Sequence, residues 1–203
     1  MKNESKTISL TDFIDFVSKT GSTKQTQVSK VKNRDSYHPA KDYYKYIREG
    51  IVETHQNDGG KKELKALIEN ATDPRKIENY KTTIDGYIKF LGRKEVTWLE
   101  PPFKHWITGD LNIKINPEIG LEIDGKPIYL KLYFKADKLS KIKASQIMNL
   151  LESELRKEVT EDAVFGVLDI QRGKAFINES KDTTLLPLLI GEAMSFQAIW
   201  DLL

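Results

Sequence analysis

Within the stretch NPEIGLEIDGKPIYLKLYFKADKLSK, Asn116 to Lys141, one lysine, Lys131, stands between Tyr129 and Tyr133 on a segment that alternates like a β-strand. A lysine in a buried setting can serve as a catalytic cation, because burial alters its affinity for a proton. On an open strand face it lies along the neighbouring rings instead, with its stem covered and its ammonium in water. The second reading is the ordinary one. It makes Lys131 an outward-facing side chain whose truncation costs the fold little. Glu118 and Glu122 on the same hairpin read by default as solvated charges, and Asp124 as part of its turn.

A second set of residues is cationic. No acid lies between Asp15 and Asp35, while Lys19, Lys24, Lys30, Lys32 and Arg34 accumulate among Thr, Ser and Gln. Cations beside hydroxyls suit contacts to phosphate oxygens, which position a nucleic acid without reading its bases. Tyr37 and His38 close by are candidates to stack on a base. The alternative is a solvated basic loop. His38, His55 and His105 stand apart, with no partner at metal-ligand spacing on one helix face. No nucleophile-elbow, Walker or dinucleotide fingerprint appears, and Gly59-Gly60 reads as a loop between helices.

The elements that must carry these residues follow from periodicity. LTDFIDFVSKTG predicts a helix capped by Thr11, with Phe13, Ile14, Phe16 and Val17 as its stripe and Gly21 as its stop. The polar segment after it predicts a loop, with TQVSKVK as a short edge strand. Helices are expected from about Ala40 to Thr54 and from Glu63 to Ala71. The strongest helix signal runs from Asp73, a cap, through Pro74 in the first turn to Gly92, with Ile77, Tyr80, Ile84, Tyr87, Ile88 and Leu91 buried.

Near Glu95 the period changes to alternation. EVTWLEPP and DLNIKINPEI read as strands, and Asp124-Gly125 as the tight turn of a hairpin over 120–135. A helix follows from Ser140 to about Glu158, whose Glu152 and Glu154 belong to its wet face. A hairpin turning at Arg172-Gly173 comes next, and a helix from Pro187 that docks on the sheet. The fold class is therefore α+β. A helical part, 1–94, packs on an antiparallel or mixed sheet of about five strands with flanking helices, 95–203, in one unit.

Composition bounds the function. The 203 residues carry 32 basic and 30 acidic side chains, a formal charge of +2, so any electrostatic attraction to nucleic acid or membrane must be local. There is no cysteine, which excludes disulfides, thiolate zinc sites and cysteine nucleophiles. MKNESKTISL lacks the apolar run of a signal peptide, no segment approaches membrane-spanning length, and a cytoplasmic location is expected.

The order of helix, three strands with a hairpin, helix and further strands, over residues 74 to 178, resembles the PD-(D/E)XK nuclease-like fold. In that family an acid on the second strand and an acid-x-lysine pair on the third hold a divalent metal and a water. The resemblance implies Lys131 as the catalytic lysine and Glu118, Glu122 and Asp124 as the available metal ligands, with magnesium as cofactor of an active enzyme. The chain departs from the pattern at Tyr129, which stands where the family carries an acid. The longer text, from FIDFVSKTG through DPRKIENY to LKLYFKA, is also similar to a group of uncharacterised bacterial proteins. The expectation drawn from residues and resemblance together is a non-catalytic module that binds nucleic acid or protein and needs no cofactor. Its nucleic-acid contacts would be Lys24, Lys30, Lys32 and Arg34, and its oligomeric state is open. The alternative is a metal-dependent nuclease.

Overall fold

In the computed structural model, residues 6–34 and 42–203 are described. Where the sequence alternates, the backbone is extended. Strands β5 (Ile119–Ile123) and β6 (Lys126–Tyr133) form a hairpin whose turn residues Asp124 and Gly125 take φ of 51° and 79°. Those left-handed values match a two-residue turn to the twist of its strands. Strand β2 (Val96–Leu99) runs antiparallel to β5, β7 (Val164–Asp169) parallel to β6, and β8 (Lys174–Ile177) antiparallel to β7. The five-stranded order is β2-β5-β6-β7-β8. The β6-to-β7 crossover is made by helix α6 (Lys141–Leu155), capped by Ser140.

A smaller sheet has the order β1-β4-β3, from β1 (Lys6–Ser9), β3 (Lys104–Thr108) and β4 (Leu111–Ile115). Strand β1 pairs in parallel with β4, Lys6 opposite Leu111, so the first described residues are built into the second half of the chain. The remaining helices are α1 (Leu10–Val17), α2 (Ser22–Lys32), α3 (Lys45–Gln56), α4 (Lys61–Glu69), α5 (Pro74–Leu91) and α7 (Leu186–Leu202). The fold is α+β, as the periodicity predicts.

Both faces of the five-stranded sheet are covered. Ile119, Leu121, Leu130, Leu132 and Leu168 lie in one core with Ile47, Ile51, Ile84 and Tyr87 of α3 and α5. Tyr129, Tyr133, Phe165 and Val167 lie in a second core with α1, α6, α7 and the smaller sheet. Helix α5 reaches its neighbours through Gly86, where a Cβ would sit 2.0 Å from the Ile170 carbonyl oxygen.

Several expectations are corrected. TQVSKVK is part of helix α2, because Val28 and Val31, three residues apart, are buried together with α1 and α7 residues. Ser9 rather than Thr11 caps α1, its hydroxyl accepting from the Asp12 N–H at 3.1 Å, and Gly21 (φ 53°) precedes α2 rather than ending α1. Ile77 faces solvent; the buried stripe of α5 runs through Tyr80, Thr83, Ile84, Tyr87, Phe90 and Leu91. Helix α7 packs on α1, α2, α6 and β3 rather than on the large sheet. Strand β3 had no alternating signal to announce it. Among the described residues no helix is long and apolar enough to cross a membrane.

Candidate functional site

The antiparallel register of β5 and β6 pairs Ile119 with Leu130 and Gly120 with Tyr129, which puts Glu118 opposite Lys131 just before the start of β5. Lys131 is not outward-facing. It is 6% exposed, because α1 and α6 cover the face it shares with Tyr129 and Tyr133. Its ammonium donates to Glu118 Oε1 at 2.5 Å, to the Asn116 carbonyl oxygen at 3.1 Å and to Asn116 Oδ1 at 3.4 Å. Three acceptors meet three N–H groups. The other Glu118 oxygen, Oε2, accepts the Leu132 N–H at 2.7 Å. That donor points past Ile119, the first residue of β5, so the carboxylate takes the place of a strand carbonyl and closes the ladder.

The other acids assigned to a metal lie elsewhere. Glu122 is exposed beside Pro127, about 13 Å along the strand from Glu118 at the usual rise per residue. Asp124 is in the turn, further out still. A shared ion needs ligand oxygens within about 2.0–2.6 Å of it, so Glu118, Glu122 and Asp124 do not form one site. Among the described residues no three His, Asp or Glu side chains are grouped to hold a metal ion. A magnesium centre therefore does not fit the described residues. Tyr129, at the position where the resemblance would call for an acid, is buried near Phe165, and burial pushes its phenol up.

Sequence reasoning missed three features around this point. Asp169, at the end of β7, is buried, but its oxygens accept from the Leu139 N–H and the Arg172 guanidinium. Glu152 is buried too, not on a wet face, and is clamped by Arg156 at 2.6 and 2.9 Å. At the end of β6, Lys135 and Lys143 both pair with Asp15, and the Tyr133 hydroxyl donates to Asp137 at 2.7 Å. Burial and the Asp137 carboxylate push the Tyr133 phenol well up. Against its own desolvation, Asp137 is held below the usual range by that hydrogen bond and by Lys143. The Asp15 and Leu139 partners lie far away in sequence, beyond any local spacing, whereas Glu152–Arg156, Tyr133–Asp137 and Asp169–Arg172 are only three or four residues apart, a spacing that was the available signal. A cleft of about 560 Å³ beside Glu118 carries Glu49 and Glu53 of α3 on its wall. Their four-residue spacing on one helix face was the available signal.

The basic segment is helix, not loop, and most of its cations are used within the fold. Lys24 pairs with Glu192 of α7 and lies over the Phe16 ring. Lys32 donates to the Trp200 carbonyl oxygen at 2.8 Å. Arg34 grips both oxygens of Asp12, at 3.1 and 2.7 Å, and against burial this contact holds the Asp12 carboxyl below its usual range. Lys30 has no ion-pair partner among the described residues and borders a shallow depression with Gln25, Ser29 and Asn33. Tyr37 and His38 lie outside the described residues. Of the other histidines, His55 is buried against the Tyr87 hydroxyl at 2.8 Å, where desolvation lowers its pKa, and His105 meets Asn112.

Helix α7 presents a different kind of surface. Leu188 is 52% exposed, Ile190 40% and Met194 61%, with Gly191 and Ala198 exposed on the same side. Compared with protein-family models, with curated proteins and with solved structures, the chain matches none of them.

Proposed function

We propose that the chain is a non-catalytic binding module of nuclease-like fold whose partner is another polypeptide, held on the outer face of α7. The observation that carries this reading is the exposure of Leu188, Ile190 and Met194 on one helix, beside Gly191 and Ala198. An apolar patch of this kind on an otherwise highly charged protein marks an interaction site. Nucleic acid fits less well, because Lys24 and Arg34 are already paired with Glu192 and Asp12, and Lys32 is turned onto the Trp200 carbonyl oxygen. Hydrolysis fits less well again. Lys131 is neutralised by Glu118, and the second carboxylate that a metal-dependent nuclease needs is replaced by Tyr129.

Photo-crosslinking in cells tests the assignment, with the reactive amino acid placed at position 194 in one variant and at position 30 in another. Polypeptide adducts at 194, and no nucleic-acid adducts at 30, are expected. Nucleic-acid adducts at 30 with nothing at 194 would overturn it.

A further inference from the structure

We infer that the polypeptide on α7 is a second copy of this chain, related to the first by a two-fold axis passing close to Gly191. The inference rests on the reading of α7 as the working surface and names its partner. Gly191 lies inside a 17-residue helix, where glycine is among the poorest formers. A Cβ built there would meet nothing within 4 Å, so no contact inside the molecule requires its absence. What a bare backbone on an outer face does permit is the close approach of another helix.

The residues around Gly191 suit a partner identical to this one. Leu188 and Met194 stand three residues before and three after it. In an antiparallel crossing on a two-fold axis, Leu188 of each copy meets Met194 of the other, and the two glycines meet at the axis. Charge does not oppose this. The acids of the helix are Glu192 and Asp201, held by Lys24 and by Lys6 of the same chain. A symmetric contact therefore brings no unpaired like charges together, and the face shows no unpaired charge that a different, charged partner would need to answer.

Area is consistent with a dimer. Leu188, Ile190, Met194 and the 89%-exposed Leu202, with the smaller residues between them, present on the order of 500 Å² of apolar surface, within the range of a functional patch. A standard interface buries about 800 Å² per partner, and in homodimers roughly 65% of it is apolar. The patch supplies about that apolar share, and α2, largely polar and packed beside α7, flanks it.

Sedimentation velocity on the purified full chain, up to about 100 µM, is the test, the monomer being 23.3 kDa. A species of twice the monomer mass is expected. Met194→Glu and Leu188→Glu should each weaken it by roughly a hundredfold or more while leaving the circular dichroism unchanged. Gly191→Leu should raise or preserve the melting temperature of the monomer, since leucine is the better helix former, yet weaken the dimer by roughly tenfold or more. A wild type that stays monomeric overturns the inference, as does a dimer indifferent to these changes. Monomeric behaviour alongside crosslinks from position 194 to a different polypeptide would overturn the second copy and keep the α7 reading. Monomeric behaviour with no crosslinks would overturn both.

Discussion

Glu118 and Lys131 meet just before β5 begins, beside the part of β6 that runs on past it. Glu118 accepts the orphan Leu132 N–H, and Lys131 ties the carboxylate to Asn116. Removing one partner of a mostly buried pair leaves the other charge without compensation, at about 3 kcal/mol. Lys131→Met and Glu118→Gln should each destabilise by about 2–4 kcal/mol in urea unfolding, and the double variant should cost less than the sum of the two. Additive losses would mean that the two side chains do not act as a pair. This revises the sequence-based expectation that losing Lys131 is nearly neutral. The alternation of Ile128, Leu130 and Leu132 assigned Lys131 to the right face, because strand periodicity is local. It could not reveal that α1 and α6 would cover that face, since the cover comes from segments distant in the chain. The turn at Asp124-Gly125 was legible for the opposite reason, its dihedral requirement being contained in two residues.

Helices read well where caps and breakers stand in the text, and badly where neighbours decide. Helix α5 begins at Asp73-Pro74 and stops at Gly92 as the sequence predicts. Helix α2 has few apolar residues, and its place is fixed by Val28, Val31 and the lysine contacts to α7, which no window along α2 contains. Gly86 separates the local from the tertiary influence. By propensity alone, Gly86→Ala would stabilise α5 by up to about 1 kcal/mol. The Cβ would instead strike the Ile170 carbonyl oxygen and the Gln171 backbone, which are parts of the turn and not flexible side-chain ends. A net loss of about 2 kcal/mol or more is expected in urea unfolding, whereas Gly191→Ala, with open space around it within the chain, should stabilise the monomer by a few tenths to about 1 kcal/mol. A stabilising Gly86→Ala would show that α5 is not seated on that turn.

Across the whole molecule, two cores share one five-stranded sheet, and β1 locks the beginning of the described chain to β4. The division at about residue 94 separates compositions, not folding units, because α1 and α2 pack with α6 and α7. The class of the fold was legible from the change of period; the second, three-stranded sheet was not, since β1 reads as a polar tail until β4 pairs with it. The same tertiary logic ties Lys24, Lys32 and Arg34 of the basic segment to partners within the fold, while α7 gathers several exposed apolar side chains on one helix. The central proposal is that this protein binds polypeptide and neither grips nor cuts nucleic acid. Labelled duplex DNA and single-stranded RNA, titrated with the full chain at low salt in the presence of magnesium, test it most directly. The account expects intact nucleic acid and only weak association that disappears by about 0.15 M salt. Saturable binding lost in Lys30→Glu, or magnesium-dependent cleavage lost in Lys131→Met under conditions where that variant remains folded, would contradict it.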